Sequence, residues 1–83
     1  MIRDFKIRQV GDEFTCEFKV RGEDFETVTD AMHSCMDSVD GLSSVGCSGG
    51  CTITVSIGGS SSQSVKNGLQ YFRDQFDHIT PKQ

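Results

Sequence analysis

A regular apolar pattern between Glu23 and Gly41 restricts the fold of this chain more than any other feature of its sequence. Hydrophobic residues recur there at positions i, i+3, i+7, i+10 and i+14, which places all five on one narrow face of an α-helix. Such a face must be buried, so the helix has to pack against a second element. Its residues are Phe25, Val28, Met32, Cys35 and Val39.

Both ends of the predicted helix carry the expected signals. Either Asp24 or Thr27 can cap its N-terminus, because both side chains can accept a hydrogen bond from a free backbone N–H of the first turn. Gly41 follows the last apolar position and can take the left-handed conformation that ends many helices. The capping signals and the apolar period therefore predict the same helix.

The opposite face of this helix is acidic. Residues 22–65 contain six acids and no lysine or arginine, whereas bases outnumber acids by one in each flanking segment. A row of like charges lowers the stability of a helix, so the row serves either to keep the protein soluble or to bind a basic partner. Its residues are Glu26, Asp30, His33, Asp37 and Asp40, and Glu23 and Asp24 extend it at the N-terminal end.

Two strands are predicted before the helix. Apolar and polar residues alternate from Arg3 to Val10, and the same alternation returns from Phe14 to Arg21. A period of two is typical of strands with one buried side. Gly11 and Asp12 lie between them and are common turn residues, so the two strands are predicted to form a hairpin.

After the helix, the chain is predicted to return to the sheet once. The segment from Leu42 to Gly50 has little periodicity and is rich in serine and glycine, which predicts a loop. Alternation from Cys51 to Ile57 predicts a third strand. A Gly/Ser-rich connection at residues 58–62 then leads to a second helix with its own apolar row. That row consists of Val65, Leu69, Phe72, Phe76 and Ile79.

These elements predict a single α+β domain over residues 1–83, because a chain of 83 residues has room for only one core. The order is β-β-α-β-α, with two helices on one face of a three-stranded antiparallel sheet. A right-handed crossover through the first helix makes the third strand parallel to the second. The third strand is therefore predicted beside the first, which gives the strand order 2-1-3.

The N-terminal residues lack the apolar core of a secretion signal, and no apolar run reaches membrane-spanning length. A cytoplasmic location without membrane binding is therefore expected. Cysteines in that compartment are free thiols by default. The strand and helix periods predict that Cys16, Cys35 and Cys51 face the core and that Cys47 is the free thiol of the loop. No metal or other cofactor is expected.

The side of the sheet that the helices leave open is predicted to be polar and locally basic. Single-stranded nucleic acid binds to aromatic rings on such a surface, yet every phenylalanine of these strands falls on the other side. Together with the net charge of −4, this argues against direct nucleic-acid binding. The predicted open face consists of Asp4, Lys6, Arg8, Thr15, Glu17, Lys19, Arg21, Thr52, Thr54 and Ser56.

No catalytic group can be assembled from the sequence. His33 is predicted on the outer face of its helix and Cys35 on the inner face, so the two cannot act on a common substrate atom. An enzyme is therefore not expected.

Two functional hypotheses follow. The first is a small acidic protein-binding module, an inhibitor that docks the acidic helix face on a basic surface of a nucleic-acid-handling complex. Phage anti-defence or anti-CRISPR proteins are an analogy in size and charge alone. The second is a thiol-redox or zinc-binding module centred on Cys47 and Cys51. A homodimer through an exposed edge strand is compatible with either. Contacts in the first hypothesis come from Glu23, Asp24, Glu26, Asp30, Asp37 and Asp40.

Overall fold

The computed structural model describes residues 5–81, which form five strands and two helices. Their presence in one antiparallel sheet with two helices confirms the α+β class. In chain order the elements are β1 (Ile7–Val10), β2 (Glu13–Arg21), α1 (Phe25–Ser38), β3 (Leu42–Gly49), β4 (Thr52–Gly59), α2 (Ser62–Gln75) and β5 (Ile79–Pro81).

Strand β2 is the centre of the sheet, whose order is β1-β2-β4-β3. One edge of β2 pairs with β4 over residues 14–21. The other edge is shared by two short strands, with β1 opposite residues 13–16 and β5 opposite residues 18–20. All of these pairs are antiparallel.

The prediction of a loop from Leu42 to Gly50 was wrong, because most of this segment is strand β3. Half-buried Val45 and Cys47 alternate with exposed Ser44, Gly46 and Ser48, so the period of two is present. Small side chains on the exposed side conceal it, since serine and glycine carry little strand propensity of their own. Pairing with β4 supplies the stability that local propensity does not.

The predicted strand order 2-1-3 was also wrong, and the missed strand is the reason. The crossover through α1 leads to β3 instead of to β4. The β3–β4 hairpin then reverses the chain, so β4 enters between β3 and β2 and runs antiparallel to both. The predicted third strand therefore lies beside the second strand and not beside the first.

Helix α2 is shorter than predicted. Ser61 caps its N-terminus by accepting a hydrogen bond from the Ser64 N–H at 3.1 Å. Val65, Leu69 and Phe72 are buried as expected, but Phe76 already has the extended backbone of a C-cap. Ile79, predicted to be helical, instead pairs with Val20 in β5.

The core lies between the sheet and the two helices. Phe18 of β2 and Phe72 of α2 are fully buried, and their ring centroids are 5.3 Å apart. Val28 and Cys35 are the fully buried residues of α1. The two helices therefore cover the side of the sheet on which the phenylalanines of β2 were predicted.

Phe25 is the exception to the predicted apolar face of α1, because 47% of its surface is exposed. Thr29, one helical turn later, lies over Cys47 of β3, with 3.6 Å between Oγ1 and Sγ. One turn earlier, Phe25 lies above the end of β3, where Gly49 and Gly50 offer no side chain to pack against. The prediction that Phe25 is buried was therefore wrong.

Candidate protein-binding surface

The acidic face of α1 begins with a capping interaction. Asp24 is the N-cap residue, and its Oδ1 accepts a hydrogen bond from the Thr27 N–H at 2.8 Å. Hydrogen bonding from the side chain and the backbone N–H of Thr27 lowers the pKa of Asp24 below its ordinary value, because these donors stabilise the charged carboxylate. Asp24 therefore remains ionised while it fixes the start of the helix.

The six predicted contact acids are all exposed, but they do not form one uninterrupted helical row. Glu26, Asp30 and Asp37 lie within α1 and share its outer face with His33. Helix α1 ends at Ser38, so Asp40 lies in the following turn and not on the predicted row. Glu23 and Asp24 precede the first helical residue, so the six acids are spread over both ends of the helix as well as its outer face.

These carboxylates are not neutralised within the part of the chain that the structure describes. No lysine or arginine among residues 5–81 approaches any of the six to within the 4.0 Å of a salt bridge. The basic side chains of β1 and β2, such as Arg8, Lys19 and Arg21, belong to the side of the sheet that faces away from the helices. The acidic face of α1 and these three basic residues therefore lie on opposite sides of the sheet.

An open groove of about 340 Å³ separates the outer parts of α1 and α2. Its α1 side includes the carboxylates of Glu23 and Asp30, and its α2 side includes the ring of Tyr71 and the amide of Gln75. The sequence analysis did not identify this groove. Tyr71 and Gln75 are four residues apart on the flank of the apolar row of α2, which is a signal that could have indicated it.

The open face of the sheet has the polar composition that was predicted. Strand register places Glu17 opposite Ser56, Lys19 opposite Thr54 and Arg21 opposite Thr52. A depression of about 250 Å³ lies at the β1 end of this face, where its lining includes Lys6 and Arg8. Asp4, also predicted here, is outside the described residues. Strand β3 adds Ser44, Gly46 and Ser48 to this face, which the loop prediction had omitted.

The cysteines differ from the prediction at two of four positions. Cys16 and Cys35 are buried, as predicted. Cys51 is exposed in the turn before Thr52, because the alternation of β4 does not extend to it. Cys47, predicted to be a free loop thiol, is half-buried beneath α1 beside Thr29. The roles predicted for Cys47 and Cys51 were therefore reversed.

Burial also sets the chemistry of the thiols. It raises the pKa of Cys35 to about 11, and burial with a smaller effect of the Glu17 charge does the same for Cys16. A protonated thiol is a poor nucleophile. All four cysteines are free, and residues 5–81 contain no cluster of three or more His, Cys, Asp or Glu side chains that could hold a metal ion.

Thiol labelling of the native protein should therefore proceed in distinct phases. We expect Cys51 to react first with a thiol reagent at pH 8, Cys47 more slowly, and Cys16 and Cys35 only after unfolding. Mass spectrometry at successive times would assign each phase, and Cys51→Ser should remove the fastest one. Rapid labelling of Cys16 or Cys35 would contradict the packing described above.

No helix within residues 5–81 combines the length and apolar character that crossing a membrane requires.

No protein family, curated protein or solved structure matches this chain.

Proposed function

We propose that this protein is a non-enzymatic binding module that docks its acidic α1 face on a basic surface of a nucleic-acid-handling protein complex. One observation carries the proposal: six exposed carboxylates line α1 and its ends, with no basic partner among residues 5–81. Lysine and arginine side chains that bind phosphates also bind carboxylates. An acidic helix face can therefore compete with nucleic acid for such a surface.

The groove between the helices adds a specific anchor point to this general attraction. Glu23 and Asp30 lie on one side of it and Tyr71 on the other. An arginine from the partner could pair with the carboxylates and stack on the aromatic ring, and both interactions strengthen when water is excluded. Arginine is preferred over lysine in this position because its planar guanidinium makes both contacts at once.

The charge separation within the molecule supports the same function through the rate of association. Acidic α1 and the basic residues of the sheet lie on opposite sides, so a basic partner attracts the helix side and repels the sheet side. Encounter in the productive orientation is thereby favoured, and added salt should slow association by screening it.

The proposal extends to an inhibitor of a defence complex, such as a phage protein that blocks a CRISPR effector. Such complexes hold nucleic acid on extended basic surfaces. A protein of 83 residues with a net charge of −4 can cover part of such a surface. This extension depends on size and charge and not on the fold, because a fold does not define a function.

Charge reversal on the outer face of α1 tests the proposal. We expect Asp30→Lys/Asp37→Lys to weaken binding of the partner by about 100-fold, because two attractive contacts become repulsive. The partner would be captured from a lysate of the native host with tagged wild-type protein and identified by mass spectrometry. Its affinity for each variant would then be measured by biolayer interferometry at several salt concentrations.

The matched control is Asp12→Lys/Glu17→Lys, which changes the net charge by the same amount in the turn between β1 and β2 and on the open face of the sheet, away from α1 and the groove. The control variant should retain most of the affinity. If both variants lose affinity equally, overall charge and not the α1 face determines binding. Unchanged affinity of Asp30→Lys/Asp37→Lys would reject the proposed contact surface.

A further inference from the structure

The two edges of the sheet differ in how well they are protected against pairing with a strand of another chain. At one edge lie β1 and β5, two short strands that contain Arg8 and Pro81. Charge and proline are common means of preventing an edge strand from pairing with another chain. At the other edge lies β3, which runs for eight residues with neither charge nor proline. Within residues 5–81, β3 pairs with β4 alone, and its one register irregularity lies at its start, between Leu42 and Ser44, so the outer edge of residues 45–49 is unprotected.

The flank of α1 above this edge is apolar. Thr29 lies on the flank of α1 that faces β3, because its hydroxyl contacts Cys47 of that strand. Phe25, Met32 and Met36 project on the same flank of a helix with 3.6 residues per turn. Phe25 and Met36 are 47% and 39% exposed, and they are two of the three exposed large hydrophobic residues among residues 5–81. An unprotected strand edge and an exposed apolar flank therefore lie on the same side of the molecule.

This surface is complementary to itself. Helix α1 runs roughly antiparallel to β3, since only residues 39–41 connect them. With Thr29 over Cys47, Gly46 lies near the middle of the helix segment between Phe25 and Met36. A twofold axis near Gly46 would pair two β3 strands antiparallel, and it would bring Phe25 of each copy towards Met36 of the other. Contacts between methionine sulfur and aromatic rings are favourable.

We propose that two copies of this chain associate through β3, which joins their sheets into one continuous sheet with the α1 helices side by side. The self-complementary arrangement of the uncharged strand β3 with Phe25 and Met36 identifies a second copy as the occupant. Paired β3 strands bring no like charges together, while Glu26, Asp30 and Asp37 lie on the face of α1 that points away from the sheet. The dimer does not depend on the proposed function, because its contacts involve none of these acids.

The first test removes the apolar flank without changing the net charge. Sedimentation equilibrium of the full chain should show a dimer of the 9.1 kDa monomer. Phe25→Ser/Met36→Ser should raise the dimer dissociation constant at least about tenfold. The control is Val10→Ser, which removes the third exposed hydrophobic residue from β1 at the opposite edge of the sheet. That control should leave the dissociation constant unchanged.

The second test locates the twofold axis. In a background with Cys47→Ser and Cys51→Ser, Gly46→Cys should form an intermolecular disulfide under mild oxidation, because the two copies of this position lie opposite each other. A side chain at Gly46 meets nothing within 4 Å in the monomer. Ser56→Cys is the control, since Ser56 is exposed on β4 directly across from Gly46 but one strand away from the edge. It should cross-link far less.

The proposal would be overturned by a monomer at millimolar concentration, by a dimer that Phe25→Ser/Met36→Ser leaves intact, or by equal cross-linking at both positions. A monomer that instead binds an extended segment of another protein along β3 would also reject it. Salt separates this proposal from the proposed function. Screening of the acidic helices should tighten the dimer, whereas it should weaken binding to a basic partner, and Phe25→Ser/Met36→Ser should still capture that partner.

Discussion

Replacing Phe18 with alanine is expected to lower the free energy of unfolding by about 3–5 kcal/mol. Phe18 is fully buried on the central strand β2, and its ring meets Phe72 at 5.3 Å and Phe5 at 6.2 Å between centroids. Strands on both sides and helix α2 above restrict collapse of the cavity. A protein of this size has a total stability of about 4–12 kcal/mol, so the substitution should remove at least about a quarter of that stability.

The matched control for this prediction is Phe25→Ala, which makes the same chemical change on α1. Phe25 is 47% exposed, so its loss should cost less than about 1 kcal/mol. Urea unfolding followed by circular dichroism would measure both variants, at a protein concentration low enough to keep the chain monomeric. Equal losses for the two variants would mean that Phe25 belongs to the core and that α1 is placed differently.

The second large effect is expected at Gly41, in the connection between α1 and β3. Gly41 has φ of +84°, and a Cβ there would overlap the Ser64 hydroxyl at the start of α2. Its carbonyl accepts hydrogen bonds from the Ser60 N–H at 3.0 Å and the Ser60 hydroxyl at 3.3 Å. We expect Gly41→Val to lower the free energy of unfolding by about 2–4 kcal/mol, because backbone strain adds to steric displacement of α2.

Two other glycines separate these causes. Gly11→Val introduces strain alone, because Gly11 has φ of +64° but open space around it. Gly50→Val introduces neither, since its φ is not positive and no atom lies within 4 Å of the new Cβ. The losses measured by urea unfolding should therefore increase from Gly50 to Gly11 to Gly41. A loss at Gly41 no greater than that at Gly11 would show that contact with Ser64 has no energetic effect.

The parts of the fold that the sequence predicted correctly are those with strong local periods. In β2, Cys16, Phe18 and Val20 alternate with charged residues, so their burial follows from the pattern and is observed. The helical spacing of Val28 and Cys35 likewise predicts which side of α1 packs on the sheet. Large side chains made these periods visible because their transfer from water dominates the local energetics.

Strand β3 could not be recognised in the same way. All five of its exposed positions are serine or glycine, and its inward positions include small residues such as Cys47. Its formation depends on hydrogen bonds to β4, which the sequence does not encode locally. The missed strand reverses the direction of the chain before β4. The predicted strand order was therefore wrong as well.

The sequence likewise predicted one part of the candidate binding surface and missed another. Exposure of Glu26, Asp30 and Asp37 follows from their positions opposite the apolar row of α1. The groove that Asp30 and Tyr71 both line requires the relative placement of α1 and α2. The exposure of Phe25 requires the end of β3 beneath it. Neither feature is a property of one segment.

The sequence by itself determined that α1, α2 and β2 have an apolar side and that the outer face of α1 is acidic, because each depends on residues a few positions apart, and it limited the N-cap of α1 to Asp24 or Thr27. The tertiary structure alone decided that β4 lies between β2 and β3, that Cys47 is covered and Cys51 exposed, and that the edge of β3 lies beside Phe25 and Met36. Those features depend on contacts between segments that are far apart in the sequence. The stabilising free energy arises only when both segments are in contact, so neither segment alone predicts it.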